Sequence, residues 1–302
     1  MGTQTDSAGA AERKEIGAGL FFPVAVLVAA IVTCTVVLWV GPRLVAAILS
    51  RLGNPGDSNA AMDETIASTI LFGLLLAAGL LGARLSGLNG ARLGPRPGLR
   101  LVQGATIGLA GLFVAAGLAA IAGVVRPSAG SALLGPLLGG TAVIAFQVCS
   151  EEIFFRGWLQ PVLTRAWGFF GILVTAIAFA ALHLVAAAGA AVSVCNLFLG
   201  GLLFGLLANR YGGIASAIGA HFTWNWAEQL VLGLDPNPGL GSFGAVANLD
   251  LVGSRWWGGS AEGLNASIAM TFALAILLAP LVIVPARNRP LHEPNRPGRA
   301  AF

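Results

Sequence analysis

Glu151 and Glu152 stand side by side, with Arg156 four residues on, inside a run that is otherwise almost wholly apolar from Val143 to Leu159. A later apolar run holds a solitary histidine in Phe179-Ala-Ala-Leu-His183, and another holds His221-Phe-Thr-Trp-Asn225. Carboxylates can take a proton from water, and histidine and asparagine can donate hydrogen bonds to a forming oxyanion, so this set has the parts that amide hydrolysis needs. Glu151, His183 and His221 could also ligate zinc with water in the fourth position. The ligands would come from separate helices and there is no His-Glu-x-x-His, so the sequence leaves open whether a divalent metal is used or none.

Helical spacing sorts the first motif. Neighbouring residues point about 100° apart, whereas residues four apart share a face. Glu152 therefore stacks with Arg156, and Glu151 lies over Gln147. One glutamate is then held by the arginine while the other faces a cavity as a base; the alternative for Glu152 and Arg156 is a clamp that only ties helices together. On the later helix, spacing four puts His221 and Asn225 on one face, and Glu228 falls near the same stripe. Asn196 and Asn209 suit helix–helix hydrogen bonding and an end cap.

These groups must sit among very apolar elements. Hydrophobic residues make up 56% of the 302 and charged residues only 10%, against about 25% charged in an ordinary soluble domain. The fold expected is all-α, a polytopic membrane protein. Stretches near the roughly 20 residues needed to cross the hydrocarbon layer recur near 18–40, 65–83, 101–125, 132–151, 168–188, 190–208, 213–233 and 265–286. The fourth continues in apolar character to about Leu163, which suggests one long helix with the glutamates inside it. The first is too long for a signal peptide and reads as a retained span. Residues 1–17 read as a disordered tail, 18–286 as the membrane domain and 287–302 as a basic tail near lipid headgroups. Cys34, Cys149 and Cys195 fall in apolar segments and read as small buried hydrophobes.

Charge sets the orientation. Of the 17 Lys and Arg, 13 fall in the N-terminal tail, the 84–100 loop, the 151–167 region, the 209–213 turn and the C-terminal tail, and 4 in the opposite loops. Both termini are therefore expected in the cytoplasm. The net charge of +4 follows from this topology, and no nucleic-acid partner is needed to explain it. The loop near 234–264, with Trp256 and Trp257, is expected on the other side, its aromatics at the interface.

Ionised groups at membrane depth cost about 2.5–3.5 kcal/mol each on insertion scales and are kept mainly where they function. If the chain turns near Arg165-Ala-Trp167, Glu151 lies about 14 residues before the turn and His183 about 16 after it; at about 1.5 Å per residue both sit roughly 20–25 Å from it. Glu151 and His183 are thus expected to meet, with His221 and Asn225, at roughly 10–20 Å depth, close enough to join them.

At these residues the chain resembles a known family. Glu151-Glu152-x-x-x-Arg156, Phe179-x-x-x-His183 and His221-x-x-x-Asn225 are similar to the three ordered motifs of the CAAX protease and bacteriocin-processing intramembrane endopeptidases, over roughly residues 132–233. The resemblance implies a catalytic core of the fourth to seventh helices, in which Glu151 and His183 activate water, His221 and Asn225 form the oxyanion site, and Glu152 and Arg156 support the first glutamate. It implies a peptide or membrane-protein substrate and a multi-pass place in the lipid bilayer. The Ala/Gly/Arg-rich composition points to a bacterial cytoplasmic membrane. Two rivals remain at this stage. A proton-coupled transporter also uses intramembrane Glu, His and Arg, but the inverted repeats and paired broken helices that would favour it are not evident. A catalytically silent scaffold of the same fold would keep its function without Glu151.

Overall fold

The computed structural model describes residues 4–52, 60–129, 134–186, 189–236 and 241–283, with side chains described from Phe21 of the first helix. Eight helical rods correspond one to one with the eight apolar stretches. They are α1 (Gln4–Leu52), α2 (Ala60–Leu85), α3 (Pro97–Ile121), a compound rod of α4 (Leu134–Glu152), a π-helical segment (Ile153–Leu159) and α5 (Gln160–Trp167), then α6 (Phe169–Ala186), α7 (Ala191–Tyr211), α8 (Ala215–Trp226) with a second π-helical segment (Ala227–Leu232), and α9 (Ile268–Ile283). Five are long and apolar enough to cross a membrane by length and composition: Phe21–Leu52, Ala60–Leu85, Pro97–Ile121, Leu134–Trp167 and Ala191–Tyr211. Phe169–His183 and Ile268–Ile283 are shorter apolar helices. Large apolar side chains such as Val32, Leu81, Phe113, Phe170 and Phe272 are exposed on the outside of the rods, as expected of helices that are apolar all round and solvated by lipid.

Among the described residues the fold is all-α apart from one small sheet. Strands β1 (Val125–Pro127), β2 (Leu234–Asp235) and β3 (Leu249–Leu251) pair in the order β1-β3-β2, with β1 antiparallel and β2 parallel to β3. The sheet ties the 122–129 connection to the long loop before α9. At that end Glu262 also accepts the backbone N–H of Ala190 at 2.7 Å, and Glu64 accepts from Ser242. At the other end the 86–96 loop is pinned to the α7–α8 turn by Ile214 N–H on the Arg92 carbonyl at 3.0 Å and Ala215 N–H on that of Leu93 at 3.3 Å. The connections thus divide into the two sets that the Lys and Arg count separates.

Two expectations change. The helix α1 begins at Gln4, so 4–17 is helical where disorder was expected; Ala8, Ala10, Ala11, Glu12, Lys14 and Glu15 are good helix formers continuous with a span. Cys195, expected to be buried, is exposed on α7, while Cys34 and Cys149 are half-buried; a thiol behaves as a small hydrophobe and can face lipid. Asn196 does staple helices, donating to the carbonyls of Asn265 and Ser267 at 2.8 and 2.9 Å and accepting from Thr271 at 2.7 Å. The expected basic tail, 287–302, lies outside the described residues.

The closest helix pair is α3 with α8. A Cβ at Gly104 would run into the Ser216 carbonyl, one at Gly108 into that of Ala220, and one at Gly219 into that of Leu101. Small residues on both partners let the backbones meet, which is how membrane helices associate where lipid removes the hydrophobic driving force. Thr223 adds a hydrogen bond to the Ala105 carbonyl at 2.9 Å. Replacing Gly108 by Ile should force α8 off α3, lowering the melting temperature in detergent by several degrees. Gly117→Ile, on the same helix where a side chain meets nothing within 4 Å, should leave it unchanged.

Candidate active site

Both glutamates lie inside the long rod, as its unbroken apolar character suggested, and the π-helical segment starts immediately after Glu152. A π turn closes hydrogen bonds i→i+5 and is found mostly at functional sites; here Gln160 N–H reaches back to the Phe155 carbonyl. The segment is almost wholly buried. Phe154 meets Phe155 and Trp158 edge-on, with ring centroids 5.1 and 5.2 Å apart. Gly79 of α2 lies against the Phe154 backbone, and Gly157 against the Gly90 carbonyl, positions where a Cβ would collide. The glutamates therefore sit at the end of α4, directly before a wound-open turn clamped from outside by glycine contacts.

Glu152 is fully buried, and its Oε1 receives two donors at once. Arg156 Nη1 donates at 2.9 Å and His221 Nδ1 lies at 2.9 Å. Arg156 Nη2 also donates to the Gly201 carbonyl at 2.9 Å, and one turn on Gln160 Nε2 donates to the Gly205 carbonyl at 2.9 Å. Spacing four on the rod is thus matched to spacing four on α7. Glu152 Oε2 and Arg156 Nε are buried without a hydrogen-bond partner. The Arg156 guanidinium is enclosed by rings, 4.7 Å from the centroid of Phe179, 5.5 Å from Phe204 and 5.7 Å from Phe155.

His221 connects the two glutamates. Because a carboxylate only accepts, the Nδ1 facing Glu152 carries a proton, and Nε2 is turned to Glu151 Oε2 at 3.5 Å. The Glu151 side chain retains 12% exposure where that of Glu152 has none, so the pair diverges as helical geometry requires. Sequence reasoning gave Glu152 only to Arg156; its grip on His221 links residues 69 apart and has no local signal.

The expected contact between Glu151 and His183 is not made. Among the described residues the carboxylates within 4.0 Å of a histidine are both on His221. His183 instead lies on Phe179, at 4.7 Å between centroids, with Nδ1 2.8 Å from the Phe179 carbonyl. That carbonyl can only accept, so Nδ1 is protonated and Nε2 presents a lone pair. Counting residues from the turn treated the rods as straight and starting level. The seven-residue π segment between Glu152 and Gln160 breaks the first assumption. The second fails for α8, because His221 is only six residues into it yet touches Glu151. Asn225 follows one turn after His221, half-buried.

Sequence reasoning also missed Phe204 of α7. Its ring stacks on His221 with centroids 4.5 Å apart and planes 16° from parallel, while the Arg156 guanidinium lies 5.5 Å from the same ring. Nothing in the apolar run around it distinguishes this phenylalanine.

The donor set for a metal does not come together. Among the described residues no three His, Cys, Asp or Glu side chains are grouped to hold an ion, since His183 stands apart from Glu151 and His221. Residues 133–227, the span from the start of α4 to the end of α8, match the family model of type II CAAX prenyl endopeptidase Rce1-like proteins. This segment is similar to Rce1-like domains. No curated protein and no solved structure matches the chain. The matched segment contains all six motif residues, and the family whose model it matches is one of endopeptidases. The helices α1, α2, α3 and α9 lie outside the segment.

Two predictions test how the matched segment is held. Removing one partner of a buried ion pair strands the other and costs about 3–5 kcal/mol, so Arg156→Ala should lose both protein abundance and melting temperature. Arg156→Lys should not restore them, because one ammonium cannot reproduce the planar fork that spans Glu152 and Gly201. Replacing Phe204 by Leu should leave His221 free to rotate and lower kcat about tenfold or more with little change in KM, whereas Phe204→Tyr should keep most of the rate; steady-state kinetics on a cleaved substrate would read both.

Proposed function

We propose that the protein is an intramembrane endopeptidase that hydrolyses a peptide bond of a membrane-associated protein or peptide. The observation that carries this reading is the arrangement of Glu151 against a histidine whose other nitrogen is fixed by a buried carboxylate. A base needs a defined lone pair and a partner that cannot rotate away. Glu152 supplies that constraint, and Arg156 holds Glu152.

Glu151 takes a proton from water as the oxygen adds to the scissile carbonyl. His183, with Nε2 presented as an acceptor, is the second group able to hold that water. His221 in its protonated form and the Asn225 amide donate to the oxyanion. Glu151 then gives its proton to the leaving nitrogen, the C–N bond breaks, and a carboxylate and an amine result. His221 Nε2 faces Glu151, so substrate entry must part them or bring water between them. No step is routed through a metal.

The match to an endopeptidase family over 133–227 supports the reaction class, and the apolar rods support a multi-pass membrane location. A bacterial cytoplasmic membrane with both termini in the cytoplasm accords with the composition and with the two-sided charge distribution. Substrates are peptides or membrane proteins, with no role for nucleic acid.

The test compares membrane proteomes, by labelling new N-termini, from cells expressing wild-type protein or Glu151→Gln. Glu151→Gln keeps the volume of the side chain and should accumulate normally while losing at least about 10²-fold of cleavage, the low end of a general-base contribution. Equal cleavage by Glu151→Gln would overturn the protease reading and favour a scaffold.

A further inference from the structure

The end of the bundle formed by the 86–96 loop, the α5–α6 turn and the α7–α8 turn carries Arg84, Arg92, Arg96, Arg100, Arg165 and Arg210. Among the residues whose side chains are described it has no Asp or Glu; Asp63, Glu64, Asp235, Asp250 and Glu262 all belong to the opposite end. A cavity of about 550 Å³ opens there, walled by Asn89 and Arg92 of the loop, Thr164 of α5 and Asn209 of α7, with Arg156, Gly157 and Gln160 on its inner side. That volume lies within the roughly 300–1,000 Å³ of small-molecule sites.

The cavity is preformed. Its loop wall is fixed by Gly90 seated on Gly157, by Gly94, whose Cβ position is 3.1 Å from the Gly212 carbonyl, and by Trp158 Nε1 donating to Ser86 Oγ at 3.2 Å. Its polar side chains are two guanidiniums, carboxamides and a hydroxyl, with no carboxylate, which suits an anion rich in acceptor oxygens. Apolar side chains stand exposed at the same end, among them Leu85, Leu93, Phe169 and Phe170. Cations and exposed apolar side chains together at the ends of membrane helices mark the headgroup level.

We propose that this cavity is a binding site for the phosphate headgroup of an anionic phospholipid, its acyl chains lying on the exposed apolar side chains below. The site adjoins the Glu151–His221 centre and shares Arg156 with it, so an occupied cavity braces the turn that follows the two glutamates.

The experiment uses full-length protein in lipid nanodiscs of phosphatidylcholine, with or without phosphatidylglycerol, followed by native mass spectrometry and thermal melting. Phosphatidylglycerol should be retained through release from the disc and should raise the melting temperature. Arg92→Gln, a mild variant at an exposed position, should weaken retention about fivefold, the effect of one juxtamembrane arginine, and Arg92→Gln with Asn209→Ala should weaken it further. Arg126→Gln, at the opposite end, should not. Equal retention by the cavity variants would overturn the proposal. So would a thermal shift given fully by inorganic phosphate, which would mark a free-anion site, or displacement of the lipid by an acidic peptide at micromolar concentration, which would mark a peptide site. None of these readouts depends on proteolysis, so the proposal can fail while the protease reading stands, and the reverse.

Discussion

A charged carboxylate and a guanidinium with no solvent exposure are expensive to place in an apolar bundle, and the groups around them satisfy all of their polar atoms except Glu152 Oε2 and Arg156 Nε. Coulomb attraction between Glu152 and Arg156 offsets more of the desolvation cost the more of the remaining donors and acceptors are used. The Gly201 carbonyl takes the second arm of the fork, His221 takes a share of the carboxylate, and three phenylalanine rings face the guanidinium. The pair therefore fixes the relation between three elements, the long rod, α7 and α8. The more exposed Glu151 and Asn225 are placed by this frame and do not contribute to it.

The same constraint accounts for the π-helical turn. Arg156 must reach Glu152 and α7 together, while its neighbours Phe154, Phe155 and Trp158 must all find packing partners on different sides. A turn with more residues per revolution widens the backbone and shifts the register of the side chains on it and after it relative to a regular α turn. Glycines at 79, 90 and 157 then allow α2 and the following loop to close over the widened backbone.

Much of this architecture was legible in the sequence. The eight apolar stretches, the pairing of Glu152 with Arg156 and the continuity of the fourth helix through its charges all follow from hydropathy and from spacing four. The partner of Glu151 did not, because helix-length counting fixes depth only when rods are straight and start at one level, and here neither holds. Phe204 was invisible for a different reason: an aromatic in an apolar helix carries no mark of whether it packs against lipid, a neighbour or a catalytic ring. The helical start at Gln4 has no hydropathy signal, because the stretch is polar although its residues favour helix.

The contact of α3 with α8 has a consequence of another kind. His221 is carried by a helix whose back is seated, glycine against carbonyl, on an element that lies before residue 133. The portion of the chain recognisable as a protease and the portion able to hold a protease's geometry are thus of different size. A chimera that moved only the recognisable portion into another membrane protein would carry every reactive side chain and leave behind the surface that keeps one of them in place.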